Sequence, residues 1–326
     1  VGSRDPRNRR PPDRGSGNVP VLIGSTLLLF GVWSNSFIAI SYLLGRDGAA
    51  ARFDWVGLTV ARFLVAGALC AVYCFVFRPA ESIAVLRAEW PRLLACGFFA
   101  VPGYNLALYY GQQHGVPAPI ASLTTTLVPL FVMLLAAFFL RERLTSRRVI
   151  GFAAAAVGMV VISLANKGGV EMRYPVLIAI TALAPLSWSI YSVVSKPVTG
   201  RVSPVVLTYL ATTIGALMMM PMLPGSTWRQ WSTLDAAGWA ALLYLAIPCT
   251  VMGFAVWTWL LRHLPASTVG FSVFLNPPLT TTSKYIHAAL FPATFAFTIV
   301  PQEWVGGVLA LVGMGIAVYV PRRLPR

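Results

Sequence analysis

The chain sets a few polar and aromatic side chains inside long apolar runs: Trp33, Asn35, Tyr104, Asn105, Thr125, Trp188, Tyr191 and Trp257. Such groups are costly in lipid, so each needs a partner or a purpose. Indole rings and amides together suit an amphipathic organic molecule better than a simple ion, the rings taking its apolar body and the amides its polar groups. Asn105 and Gln112 are two helical turns apart and can share a face. Thr125, between Thr124 and Thr126, offers a hydroxyl one turn before Pro129, whose missing amide frees a carbonyl. Trp33 and Trp188 can flank a ligand, with Asn35 and Tyr191 close by. The plainer uses are packing, interfacial anchoring for Trp257, and hydrogen bonds within or between helices.

Three charged residues are candidates for gates or charge sites. Arg62 lies about 11 Å into a helix beginning near Trp55; it can reach outward, bind an anionic group or bond across helices. Lys284 lies roughly 28 Å along its helix from Pro265, where it can serve as an outer gate, bind a carboxylate or act as an anchor. Glu142, between Arg141 and Arg143, suits a local ion pair or a gate. No span shows a clearly buried Asp or Glu that could carry a proton.

Catalysis asks for more than this. His114, His263 and His287 are scattered near helix ends without Asp, Glu or Cys at ligand spacing, and Ser34 and Ser189 have no base nearby. Cys70, Cys74, Cys96 and Cys249 sit in apolar runs with neither zinc-ligand pairing nor a disulfide framework. No catalytic residue, metal or cofactor is expected. A membrane-embedded enzyme acting on lipid-like substrates is the alternative, and it would need the acid–base groups that are lacking.

The elements that carry these residues follow from composition. Hydrophobic residues make up 57% of the 326 and charged ones 11%, against about 25% charged in soluble domains. Apolar runs of about 20 residues, too long for barrel strands, predict helices near 19–44, 55–77, 93–113, 117–140, 149–165, 174–195, 203–222, 237–261, 265–288 and 302–320. With the N-terminus inside, 18 of the 25 Lys and Arg residues fall on the inner side, so both termini are expected in the cytoplasm. The net charge of +15 is thereby a topology signal and not a nucleic-acid footprint. Residues 1–18 read as a disordered basic tail able to touch anionic lipid, and the first span as a retained helix.

The chain also repeats itself. Trp33 aligns with Trp188, Pro117-Ala118 and Pro129 with Pro265-Ala266 and Pro277, and Gly151 and Gly158 with Gly306 and Gly313. Two halves, 19–165 and 174–320, each hold five spans. An odd number inverts the second half, an architecture that supports alternating access. The spacing breaks after Pro277, where apolar residues 288–300 either extend the ninth helix past Pro292 or lie at the interface.

On these residues the chain resembles the drug/metabolite transporter superfamily, and its EamA-type ten-helix members in particular. The resemblance rests on Trp33-Ser34-Asn35-Ser36-Phe37, Ala61-Arg62-Phe63, Leu127-Val128-Pro129-Leu130, Arg141-Glu142-Arg143-Leu144-Thr145, Gly151 and Gly158. The second half departs from it, since position 290, matched to Glu142, is Leu. The resemblance implies two inverted five-helix repeats around a central cavity, and export of metabolites such as amino acids. The expectation is therefore an all-α, multi-pass inner-membrane protein of ten helices that moves amino acids or related amphipathic compounds. Its partners are a small-molecule substrate and membrane lipids, with no nucleic acid and no identified coupling ion, in a monomer or homodimer.

Overall fold

The computed structural model describes residues 19–45, 51–114, 116, 124–165, 175–223, 225–290 and 301–318. The basic segment 1–18, the start of the fourth span and residues 291–300 lie outside them, and with them the choice between a kinked ninth helix and an interfacial segment.

Among the described residues every regular element is helical. In chain order they are α1 (Val19–Leu43), α2 (Trp55–Val72), α3 (Pro79–Phe98), α4 (Tyr104–Gln113), α5 (Val128–Phe139), α6 (Ser146–Ala165), α7 (Pro175–Thr199) and α8 (Pro204–Met219). They continue as α9 (Ser226–Ser232), α10 (Ala236–Tyr244), α11 (Gly253–His263), α12 (Ala266–Phe271), α13 (Asn276–Leu290) and α14 (Pro301–Val318). Six continuous helical runs are long and apolar enough to cross a bilayer: Val19–Leu43, Trp55–Phe77, Pro79–Gln113, Pro204–Met222, Ala236–His263 and Pro301–Val318. Side chains such as Leu28, Val76, Phe138, Val157 and Val308 are exposed on their outer faces. That surface suits lipid, where the backbone must satisfy its own hydrogen bonds.

Local chemistry sets the helix starts. Asp54 Oδ1 accepts from the Gly57 amide at 2.7 Å and Asp235 Oδ1 from the Gly238 amide at 2.8 Å, so each carboxylate caps a helix. The same end of the bundle is tied by Arg52 to Asp235 at 3.3 Å and by Gln230 to Asp54 at 3.1 Å. The Gly238 amide, then Arg52, hold the Asp235 carboxyl below its ordinary range. Proline opens α3 at Pro79 and α8 at Pro204, where no amide is missed.

A helical segment that the sequence reading passed over, beginning at Pro79, leads into the third span. Glu89 (φ −125°, ψ 18°) leaves helical geometry two residues before Pro91, so α3 is broken there, and the part beyond the break starts close to the expected 93. Proline cannot bond back to the preceding turn, which suits it to the first turn after a break. The ninth is broken: α12 runs into a 3₁₀ turn, Ser272–Leu275, before α13.

The most extensive pairing is α6 on α14. A Cβ on Gly158 would stand 2.5 Å from the Gly306 carbonyl oxygen and 2.6 Å from the Ala310 amide nitrogen. One on Gly313 would stand 2.5 Å from the Gly151 carbonyl oxygen and 2.3 Å from the Ala155 amide nitrogen. The two contacts exchange when 151, 155 and 158 are swapped with 306, 310 and 313, so the crossing has local two-fold symmetry. Other pairings follow the same exchange: α1 packs on α11 and α13, as α7 packs on α4 and α5, while α2 packs on α8.

Gly313→Val forces backbone apart at this crossing and is expected to cost about 1–3 kcal/mol or more. Gly315→Ala, with nothing within 4 Å of the added carbon, is the control. Thermal unfolding in detergent should show a lowered midpoint for the first variant and little change for the second.

Candidate functional site

The site begins with two prolines. Pro102 and Pro248 stand in the matching stretches Ala100-Val101-Pro102 and Ala246-Ile247-Pro248, and each lies in a π-helical segment, Phe99–Gly103 and Leu245–Met252. Proline donates no amide hydrogen, and the widened turn leaves carbonyls without their usual partners. Side chains take those places. Asn105 Nδ2 donates to the carbonyls of Ala100 (3.1 Å) and Val101 (2.9 Å). Thr250 Oγ1 donates to Leu245 O at 2.8 Å, and Trp33 Nε1 to Cys249 O at 2.9 Å.

Arg62 is built onto this frame. It is 5% exposed and donates through Nε to Leu245 O (3.1 Å) and Thr250 Oγ1 (2.8 Å). Through Nη1 it donates to Tyr109 OH (2.6 Å) and Asn105 Oδ1 (3.4 Å). All four acceptors are neutral, and among the described residues no carboxylate pairs with the guanidinium.

Beside it stands an aromatic cluster. The Trp33 and Trp188 rings lie 5.5 Å apart, edge to face at 81°, and both touch Phe254 and Trp257. Tyr104 meets Trp188 at 5.4 Å. A Cβ on Gly253 would lie 2.5 Å from Trp33 Nε1, so glycine at 253 lets the indole reach the Cys249 carbonyl.

These residues enclose a cavity lined by Trp33, Ser36, Phe37, Ile40, Arg62, Tyr104, Leu108, Thr125, Val128, Trp188, Phe254, Val273 and Asn276. Its walls come from both halves of the chain. The free volume of the cavity is about 50 Å³. Pockets that hold small molecules are typically about 300–1,000 Å³. The side chains must part to admit one.

Of the residues singled out in the sequence, Trp33, Tyr104, Thr125, Trp188 and Arg62 come together on this wall. Asn105 stands behind Arg62, with its amide engaged as above. Tyr191 OH meets Thr258 Oγ1 at 2.7 Å, and Trp257 Nε1 donates to Ser192 at 3.1 Å, so both brace the cluster from behind. Asn35 is away from the lining and donates to Gly31 O at 2.9 Å. Gln112 is buried with both amide atoms unpartnered. Lys284 lies in α13, but its side chain is outside the described residues.

Glu142 is remote from the cavity and joins α5 to α12. Arg141 adopts φ 56°, a left-handed turn that strains a non-glycine residue. The turn aims the Glu142 carboxylate at the amides of Ala266 (2.7 Å) and Ser267 (3.3 Å) and at the Ser267 hydroxyl. Its ion pair is with Arg148 at 3.6 Å, not with its chain neighbours. Two acidic residues inside or beside predicted spans are also buried, which corrects the expectation of none. They are Glu89, held by Arg92 and Arg201, and Glu303, which accepts from Tyr285 OH at 3.2 Å. Both lie outside the cavity lining.

Asn276 and Phe254 are lining residues that the sequence reading passed over. Asn276 is 5% exposed, and its Oδ1 is buried without a donor, a state that costs about 1–3 kcal/mol. Its signal was available: it precedes Pro277 where the first half has Val128 before Pro129. Phe254 precedes Trp257 by three positions, on the same helix face.

The profile described as the EamA-like transporter family matches residues 25–164 and 175–319. The chain is 28% identical to a probable terminal-alkyne amino-acid exporter of Streptantibioticus cattleyicolor, over 86% of this chain and 88% of that one. It is 28% identical to an aromatic amino acid exporter of Ancylobacter novellus, over 80% and 85%. A probable amino-acid metabolite efflux pump of Salmonella typhimurium is 27% identical, over 67% and 75%. One solved crystal structure superposes with a TM-score of 0.67 at 23% identity, covering 91% of this chain and 96% of that one, which is a likeness of fold.

Tyr109→Phe removes one neutral acceptor from a buried cation, and a hydrogen bond to a charged group contributes about 1.5–3 kcal/mol. Thermal unfolding should show a loss of that order, with the helical circular dichroism of the folded state unchanged.

Proposed function

The chain belongs to the EamA-like transporter family, and on that premise we propose that it exports amino acids or related amphipathic metabolites by alternating access. It is a multi-pass inner-membrane protein, and its transport is secondary. The observation that carries the reading is the aromatic cavity with Arg62 in its wall, drawn from both halves of the chain. Exporters of amino acids among its relatives support the substrate class and the direction.

The proposed architecture is ten crossings in two inverted five-helix repeats, residues 19–165 and 174–320, with both termini in the cytoplasm. The two-fold α6–α14 crossing, the paired π segments and the exchangeable helix contacts support it. On this reading the Arg52–Asp235 cluster faces outward and the Glu142 cluster inward. Substrate binds between Trp33 and Trp188 near the axis relating the halves, where rocking of one half against the other exposes it to either side. Glu142 acts at the inner gate, tying the fourth crossing to the ninth, and Arg62 is the charge site.

Purified protein in proteoliposomes, given radiolabelled amino acids and small metabolites, should carry saturable flux absent from empty liposomes. Each indole contributes about 0.5–1.5 kcal/mol beyond its buried area. Trp33→Ala or Trp188→Ala should thus weaken transport by at least roughly threefold to tenfold. Folded protein that moves nothing across the panel overturns the reading.

A further inference from the structure

We propose that the cavity recognises both charged ends of a zwitterionic amino acid, the carboxylate at Arg62 and the ammonium at Asn276 and the adjoining indole faces. The proposal rests on the transporter reading above and deepens it.

Arg62 supplies the first end. A guanidinium carries five N–H donors in a planar fork that matches a carboxylate. Here Nε and Nη1 are engaged by neutral acceptors, while Nη2 bonds to nothing among the described residues. The residue lines the cavity and has no carboxylate partner among the described residues. Its fixed bonds hold the fork in place before a ligand arrives, which lowers the ordering cost of binding. A buried cation met only by dipoles gains most from an anion that enters with its own charge.

Asn276 supplies the second end. Its Oδ1 is sealed from solvent and accepts no hydrogen bond, in a residue 5% exposed on the same lining. An ammonium carries three donors and no acceptor, so it answers an orphaned amide oxygen directly. Trp33 and Trp188 line the same space and attract a cation through their ring faces. Among the described residues no Asp or Glu lines the cavity, so a ligand with net positive charge meets the Arg62 cation without a carboxylate to offset the repulsion. A ligand with a carboxylate but no amine leaves Asn276 Oδ1 unpaired.

The two groups come from opposite halves of the chain, Arg62 within residues 25–164 and Asn276 within 175–319. A substrate held at both ends therefore links the halves, and its binding energy goes into drawing them together.

The test uses the full-length protein in proteoliposomes with phenylalanine, its methyl ester, phenethylamine and 3-phenylpropionate, which remove one end at a time. Phenylalanine should compete for its own counterflow at least tenfold better than each single-ended analogue. Asn276→Asp places a carboxylate in the wall and should raise the phenethylamine-to-phenylalanine flux ratio at least tenfold. Arg62→Lys should weaken phenylalanine more than phenethylamine. Because Arg62 also braces the fold, Asn276→Asp is the decisive variant. Equal competition by ester, amine and acid overturns two-ended recognition while leaving the transporter reading intact. An unchanged ratio in Asn276→Asp removes Asn276 from the site. Flux of none of the four by folded protein overturns the proposal, and only a blank over the wider metabolite panel overturns the transporter reading.

Discussion

The site depends on holding a buried guanidinium that has no counter-charge among the described residues. Burying a charge is expensive, and the usual remedy is an acidic partner. Here the remedy is a set of dipoles. Pro102 and Pro248 disturb their helices, π segments form, and the carbonyls set loose are met by Asn105, Thr250 and Arg62 itself. The same two residues that repair the backbone then accept from the guanidinium, Asn105 through Oδ1 and Thr250 through Oγ1. Backbone defect and buried cation thus solve each other. Neither proline can be regularised without unseating Arg62.

This arrangement also sets the shape of the cavity. Because α11 carries glycine at 253, Trp33 crosses from the first half to bond Cys249 O on the second. Its ring then fixes Trp188, Phe254 and Trp257 around it in edge-on and tilted contacts. Aromatic packing of this kind is dense and directional, which explains why so little free space remains between such large side chains. On the proposed reading, a substrate would displace ring–ring contacts and replace them with its own.

Much of the helix layout was legible in the sequence because lipid imposes length. The apolar runs near 55–77, 203–222 and 237–261 lie within two residues of the helical runs Trp55–Phe77, Pro204–Met222 and Ala236–His263. The helical segment from Pro79 to the break at Glu89 was not, since hydropathy alone reads a charged stretch as loop. Side-chain direction was harder still. Each π turn inserts an extra residue and turns everything beyond it by about 100°. Depth in the span groups Asn105 with Tyr104 as one wall, but neighbours in a helix point about 100° apart, and Tyr104 lines the cavity while Asn105 stands behind it. Asn276 went unread for a different reason. Its position was marked, as the polar residue before Pro277 where the first half has Val128, but the missing donor for Oδ1 that makes it notable is a feature of the folded structure.

The two ends of the bundle are unequal in a way that bears on any cycle of opening. At one end the Glu142 carboxylate of the first half accepts from two amides and a hydroxyl at the start of α12 in the second, with Arg148 alongside. Charge-assisted bonds of this type are about twice as strong as neutral ones, and they sit at a helix N-terminus whose dipole favours the anion. Separating α5 from α12 gives up all of them at once. The residue matched to Glu142 in the second half is Leu290, which has no side-chain acceptor to offer. On the proposed two-fold architecture, the bond set at Glu142 would have no side-chain counterpart at Leu290, which would make the two ends unequal.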